Sequence, residues 1–65
     1  MRLQLNGLSI EVEAKTLSEF LNLNGYGNSK VATAVNGAFV PEALRDDYEL
    51  SAGDMIEVLA PMQGG

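Results

Sequence analysis

The N-terminal stretch MRLQLNGLSIEVEA, residues 1–14, carries the clearest structural signal of the chain. Apolar residues take every second position before the pair Asn6-Gly7 and again after it: Met1, Leu3, Leu5, Leu8, Ile10, Val12 and Ala14. Alternation with a period of two predicts strands that bury one face. Asn-Gly is the preferred pair of a two-residue type I′ turn. The stretch therefore predicts a β-hairpin.

The period of the apolar residues changes after this hairpin. Thr16 and Glu19 fit a capping box, in which Thr16 accepts from the Glu19 amide and Glu19 reaches back to the Thr16 amide. The next apolar positions share one helical stripe: Leu17, Phe20 and Leu21. The run NGYGNS then stops the helix, with Gly25 or Gly27 as its left-handed C-terminal residue. We predict one helix over residues 17–25.

Three further strands are predicted after the helix. Residues 31–35 are apolar on both faces apart from Thr33, which is typical of an interior strand. Asn36-Gly37 marks a second tight turn, and Phe39-Val40 forms a short return strand that Pro41 places at an edge. The segment PEALRDDYEL is a polar connection with one short helical turn. Residues 55–60 form the last strand, which Pro61 ends.

One helix against one mixed sheet of about five strands is an α+β roll. The helix should cover a single core made of Leu3, Leu5, Ile10, Val12, Phe20, Leu21, Val35 and Ile56. The chain of 65 residues contains no repeat and no linker, so we expect one small domain over residues 1–61. Residues 62–65 have no partner in this scheme and should project as a flexible tail.

The composition excludes several classes of function. The chain has no Cys and no His, so it lacks a thiolate nucleophile, the commonest metal ligand and the commonest general base. Its net charge of -5 disfavours nucleic acid and anionic membranes and suits a partner with a basic face. No targeting segment or membrane span is visible, so the expected location is the cytoplasm, and the free chain is expected to be a monomer.

Three patterns suggest chemistry, and each has a simpler explanation. The acidic group Asp46, Asp47 and Glu49 lacks calcium-loop spacing and is better explained as a solvated loop. GYGNSK faintly suggests a phosphate loop, but its spacing is wrong and it follows a helix. The Ser, Thr and Tyr hydroxyls have no evident activating base, so an independent hydrolase is disfavoured.

The C-terminal residues PMQGG offer a different reactive group. A terminal carboxylate is ionised at neutral pH and becomes an electrophile once another protein converts it to an acyl-adenylate. Gly64 and Gly65 have no β-carbon, so their backbone can enter a narrow channel. Met62 to Gly65, fully extended, reach roughly 13 Å beyond the domain. A chain without catalytic side chains can therefore carry a reactive group on its end.

Three stretches carry a resemblance to a known family: AVNGAFVPE (34–42), LSAGDMIEVLAP (50–61) and MQGG (62–65). The chain resembles the ThiS family, the sulfur-carrier proteins of thiamine (thiazole) biosynthesis, which have the ubiquitin-like β-grasp fold. The spacings from Val40 to Gly53 and from Gly53 to Gly65 match the family pattern. The resemblance covers the whole chain, although only the terminal Gly-Gly is mechanistically specific.

The resemblance implies a mechanism. A ubiquitin-activating-type adenylating enzyme uses ATP and magnesium to adenylate the Gly65 carboxylate. A persulfide sulfur donor displaces AMP and leaves a thiocarboxylate, whose sulfur is delivered to thiazole synthase. ATP and magnesium then belong to the partner, no cofactor resides in this chain, and the chain is a carrier rather than an enzyme.

Alternatives remain open at this point. Family members often carry Arg directly after the Pro and Trp three residues later, where this chain has Glu42 and Arg45. A sister carrier for molybdopterin or another pathway, or a protein modifier, shares the fold and the Gly-Gly. A β-grasp interaction module with an inert tail is an alternative of another class.

A docking surface should surround the last strand, because the tail can enter a partner's site only if the domain docks beside it. If Ile56 faces the helix, Leu59 lies on the outer face of the sheet, where Phe39, Met62 and Gln63 could join it. The alternative is that Phe39 and Leu59 fill the edge of the core. The parity of the strand leaves both readings open.

Overall fold

The computed structural model describes residues 1–27 and 29–60. Its elements follow in the order β1 (Arg2–Leu5), β2 (Leu8–Glu11), α1 (Leu17–Leu23), β3 (Ala32–Val35), β4 (Ala38–Val40), a short 3₁₀ helix (Glu42–Asp47) and β5 (Met55–Leu59). The predicted order of elements is confirmed, including the helical turn in the connection before the last strand. Within these residues no helix has both the length and the apolar character needed to cross a bilayer.

The last strand lies at the centre of the sheet. The strand order is β2-β1-β5-β3-β4, and β5 runs parallel to β1 and antiparallel to β3. The sheet is therefore mixed, with α1 packed on one face, and the predicted α+β architecture is confirmed. β4 lies at an edge, as expected for a strand that a proline follows at once.

Both Asn-Gly turns form as predicted. The four central residues all have the positive φ angles that a type I′ turn requires: Asn6 50°, Gly7 85°, Asn36 52° and Gly37 84°. In the first hairpin the register pairs Leu3 with Ile10. β2 ends at Glu11, before the predicted end at Ala14, because β1 begins at Arg2 and leaves no strand residue opposite positions 13 and 14.

The helix begins at a capped residue, but one half of the expected capping box is wrong. The Thr16 hydroxyl accepts from the Glu19 amide at 3.2 Å, as predicted. The Glu19 carboxylate accepts from the Lys15 amide at 2.7 Å rather than from the Thr16 amide. The cap therefore also holds the residue before the helix.

The helix ends two residues earlier than the predicted residue 25. The Asn24 side chain donates to the Phe20 carbonyl at 2.9 Å, and the Asn24 amide donates to the same carbonyl. Gly25 follows with φ 87°, which is the left-handed conformation expected at this position. Asn24 therefore terminates the helix by satisfying a backbone carbonyl of its last turn.

The core lies between α1 and one face of the sheet. Its buried apolar residues are Leu3, Ala14, Leu17, Phe20, Leu21, Val35, Val40, Leu50, Ile56 and Val58. The predicted core residues Leu5, Ile10 and Val12 are only partly buried and pack at its margin. Ile10 lies on an edge strand and Val12 follows it, and Leu5 ends its strand beside the turn, so the helix does not fully cover them.

β3 is an interior strand, as predicted, but only one of its two faces is buried. Thr33 and Val35 are buried, whereas Ala32 is exposed and Ala34 is half-buried. The difference arises because the described chain supplies a helical layer on only one side of the sheet. β3 is an interior strand by its neighbours, but its second face is open.

A buried arginine ties the 3₁₀ helix to β3 and β4. The Arg45 Nε donates to the Thr33 hydroxyl at 3.1 Å, and Nη2 donates to the Val31 carbonyl at 2.6 Å. The Thr33 hydroxyl donates in turn to the Val40 carbonyl at 2.8 Å. These contacts satisfy a charged group that would otherwise be costly to bury. The sequence predicts only a polar connection at Arg45 and does not reveal that its side chain is buried.

We expect Phe20→Ala to destabilise the domain by about 3–5 kcal/mol, because the ring is fully buried and its removal leaves a cavity. Urea or thermal unfolding measures the change. Leu23→Ala is the matched control on the same helix, since Leu23 is 62% exposed and should cost less than about 1 kcal/mol. Equal losses in the two variants would contradict this packing.

Candidate functional site

The alternating side chains of β5 divide between the core and the outer face of the sheet. Ile56 and Val58 are buried, with 1% and 6% of their surface exposed. Met55, Glu57 and Leu59 point the other way and are exposed. The prediction that Leu59 lies on the outer face if Ile56 meets the core is therefore confirmed.

Phe39 of the edge strand joins Leu59 on the outer face. The register pairs Ala34 with Phe39 on one side and with Glu57 on the other, so these three residues form a row across the sheet. Phe39 is 68% exposed and Leu59 is 64% exposed. The alternative that these two side chains fill the edge of the core is wrong.

The outer face around these residues is a shallow apolar surface. The two small residues of β3, Ala32 and Ala34, lie between the larger side chains of the neighbouring strands. We call this surface the outer-face patch and define it as Ala32, Ala34, Phe39, Met55 and Leu59. A contiguous exposed apolar group of this kind is typical of an interaction site.

A groove borders the patch on the side of β1. It has a volume of about 580 Å³ and lies between the two Asn-Gly turns, and its walls include Gln4, Asn36, Met55, Glu57 and Leu59. The patch and the groove share Met55 and Leu59. The outer face therefore offers two adjoining depressions, one on each side of β5.

The Asn6 side chain extends the sheet beyond the end of β1. Its Oδ1 accepts from the Val58 amide at 2.9 Å, and its Nδ2 donates to the Val58 carbonyl at 3.2 Å. The side-chain amide thus replaces the backbone of a strand residue. The contact holds β5 in the sheet close to the point where the described chain ends at Ala60.

The second turn makes a comparable contact at the other end of β5. The Asn36 Oδ1 accepts from the Met55 amide at 2.9 Å, and the Asn36 Nδ2 donates to Asp54 Oδ1 at 3.0 Å. Each hairpin therefore holds one end of β5 through an asparagine in the left-handed region. Only Asn and Gly adopt that conformation readily, and only Asn also supplies the amide.

The predicted residues of the tail cannot be placed. Met62, Gln63, Gly64 and Gly65 lie outside the described residues, as does Pro61. The structure does place the root of the tail, because Leu59 pairs with Ala32 at the end of β5. The chain therefore leaves the sheet beside the outer-face patch.

The other candidate sites are explained by packing. Asp46 accepts a hydrogen bond from the Ser18 hydroxyl, which links the 3₁₀ helix to α1. Among residues 1–27 and 29–60, no group of three or more acidic side chains is arranged to hold a metal ion. Gly27 packs against Asn22 after the helix, where a β-carbon would lie 2.2 Å from Asn22 Oδ1.

The Met1 ammonium and the Glu11 carboxylate have shifted pKa values, and they lie at the end of the sheet away from the root of the tail. A hydrogen bond from the Met1 ammonium lowers the pKa of Glu11, and the Glu11 carboxylate in turn raises the pKa of that ammonium. Arg2 lies beside Gly53, six residues before Leu59, so this charge cluster is roughly 20 Å from the root of the tail. Because the Glu11 pKa is lowered, its small contribution to stability is lost as the pH falls through that lowered pKa.

Comparisons with known proteins agree with this geometry. The model of the ThiS family matches residues 3–65. The crystal structure of a thiamine biosynthesis protein (ThiS) from Geobacter metallireducens superposes with a TM-score of 0.86 at 26% identity, covering 100% of both chains. The solution structure of a thiamine biosynthesis protein from the same organism gives a TM-score of 0.80 at 26% identity, covering 100% of this chain and 88% of that one. No curated protein matched the chain.

The fold and the open face define a small β-grasp domain, in which one helix packs on a mixed sheet and the last strand leads to the C-terminus. The match over nearly the whole length places it more narrowly: the chain belongs to the ThiS family.

We expect Leu59→Lys to leave the fold intact, with a stability change of about 0.5 kcal/mol or less, because the side chain is exposed. Val58→Lys is the matched control at the next position, and it should cost several kcal/mol because the charge enters the core. Circular dichroism with urea titration measures both. Unfolding of the Leu59 variant would contradict the outward orientation.

We expect Asn6→Gly to keep the turn and loosen the end of β5, because Gly adopts the same positive φ but lacks the side-chain amide. Hydrogen exchange of the Val58 amide should become faster by about tenfold beyond any change in global stability. Asn36→Gly is the control and should affect the Met55 amide instead. Unchanged exchange at Val58 would show that the Asn6 contact does not hold the strand.

Proposed function

We propose that this chain is a sulfur carrier of thiamine biosynthesis and that its reactive group is the carboxylate of Gly65. Membership of the ThiS family supports this role, as do the full-length matches to two structures described as thiamine biosynthesis proteins. The observation that carries the proposal is the central position of β5. This strand leads from the core to the tail, and the exposed outer-face patch lies beside it.

The proposed chemistry needs three steps at the terminus. A partner enzyme transfers AMP from ATP to the Gly65 carboxylate and releases pyrophosphate. The terminal sulfur of a persulfide then attacks the acyl carbon and AMP leaves. Cleavage of the sulfur–sulfur bond by a thiol leaves the thiocarboxylate, and thiazole synthase receives its sulfur.

The chain's own part in this chemistry is to present the carboxylate. It has no Cys and no His, so its side chains offer neither a persulfide nor a general base near neutral pH. We therefore propose that it is a carrier and not an enzyme. ATP and magnesium belong to the adenylating enzyme, the carrier holds no cofactor of its own, and the reaction takes place in the cytoplasm.

We further propose that the outer-face patch is where the adenylating enzyme and thiazole synthase dock. Phe39 and Leu59 supply the exposed apolar area, and Met62 and Gln63 extend the contact along the tail. Docking on this face places the root of the tail against the partner, and residues 62–65 can then reach roughly 13 Å into a recessed site. The folded Leu59→Lys variant should therefore bind both enzymes more weakly.

Removing Gly65 should abolish carrier function and leave stability unchanged within about 0.5 kcal/mol, because the described residues form the core without it. The full chain is incubated with the adenylating enzyme, ATP and a persulfide donor, and intact-mass spectrometry detects replacement of one oxygen by sulfur. The truncated chain, folded by circular dichroism, is the control and should gain no sulfur.

Two results would contradict the proposal. If the truncated chain still acquires sulfur or still supports thiamine synthesis, Gly65 is not the reactive residue. If the full chain is charged but donates sulfur only to another pathway, the carrier class stands and the thiamine assignment fails.

A further inference from the structure

A carboxylate lies among the apolar side chains of the outer-face patch. Glu57 is exposed at the middle of β5, between Met55 and Leu59, and it lies opposite Ala34 in the register. It also forms part of the wall of the groove between the two Asn-Gly turns. Its carboxylate therefore belongs both to the groove and to the border of the patch.

The described residues do not provide Glu57 with a cation. Arg2, on the same face, is bonded to Glu11 at 3.3 Å and to Ser9 at 3.2 Å. Arg45 is buried beneath β3, where it bonds to Thr33 and Val31. Among residues 1–27 and 29–60, neither the salt bridges nor the side-chain hydrogen bonds include Glu57.

Covering this face would change the energetics of the carboxylate. A partner that packs on Phe39 and Leu59 also removes water from Glu57, which shares a row of the sheet with Phe39 and lies two positions from Leu59 on β5. A carboxylate taken out of water is strongly disfavoured unless a charged or hydrogen-bonding group meets it. A purely apolar partner surface would therefore be rejected at this point.

We propose that Glu57 is a recognition residue, and that it pairs with a lysine or arginine that the partner presents beside an apolar side chain. The net charge of -5 favours a cation over a neutral donor, because it draws a basic partner surface towards this chain. Arginine is also enriched in protein interfaces. This inference rests on the proposed function, since it names the chemistry of the partner surface that meets the outer-face patch.

The experiment compares charge variants against the purified adenylating enzyme of the same organism. Glu57→Lys and Asp47→Lys both change the net charge from -5 to -3, and Asp47 is an exposed residue of the 3₁₀ helix, which packs against α1 on the other side of the sheet. Glu57→Gln removes the charge and keeps the shape. Binding is measured by calorimetry without ATP, and the KM and kcat for the carrier are measured by ATP–pyrophosphate exchange.

We expect Glu57→Lys to weaken binding by about 30-fold or more, and Glu57→Gln by about tenfold, as is typical when one partner of a desolvated charge pair is lost. The KM should rise in parallel while kcat stays unchanged, because the adenylated group is remote. Asp47→Lys should change the Kd by less than about threefold. Added salt should weaken the wild type more than Glu57→Gln.

Three results would overturn the proposal. Equal losses for Glu57→Lys and Asp47→Lys would show a general effect of charge, and unchanged binding of Glu57→Lys would show that this face does not recognise a cation. If the wild-type chain does not bind the adenylating enzyme, Glu57 cannot be a recognition residue for it. Wild-type binding with the expected variant effects but without adenylation would instead support Glu57 and refute the proposed function.

If Glu57→Lys does not fold, Glu57→Gln and its salt dependence decide the question.

Discussion

β5 has a hydrogen-bonded neighbour on each edge, and the two hairpins of the sheet are joined only through it in the described part of the chain. Its pairing with β1 and β3 sets the offset between the hairpins and places Ile56 and Val58 against the same core as Phe20. The alternate residues must then face outwards. The strand that completes the core thus also displays the patch, and the described chain ends at Ala60 beside it.

Local patterns in the sequence were enough for the element order but left the face of β5 open. The alternation of residues 1–14, the two Asn-Gly pairs and the helical stripe each depend on neighbours within a few positions. The sequence placed Leu59 on the outer face only on the condition that Ile56 faces the helix, and the burial of Ile56 in the structure meets that condition. The proposal that Gly65 is the reactive residue rests on the C-terminal sequence and its resemblance to a family, and the described geometry supplies only the position of the root of the tail.

The features that the sequence did not reveal depend on contacts between distant residues. Asn6 and Val58 are 52 positions apart, so the turn pair alone could not show that its side chain continues the sheet. Arg45 lies in an acidic segment of the sequence, and only the fold shows that the Thr33 hydroxyl of β3 and the carbonyl of Val31, just before β3, accept its hydrogen bonds. The second face of β3 is exposed because the helix covers only one side of the sheet. The number of layers in the domain is not visible in the sequence of a single strand.

The strands β1 and β5 are adjacent and parallel, and this arrangement has a mechanical consequence. A pull on the chain beyond Ala60 acts along the axis of β5, which is perpendicular to its hydrogen bonds with the antiparallel β3 and crosses the slanted hydrogen bonds with the parallel β1. Tension therefore loads these bonds together in shear, instead of opening them one after another as a pull across the sheet would. A domain pulled by the end of its central strand can resist such a force while remaining only marginally stable to heat or urea.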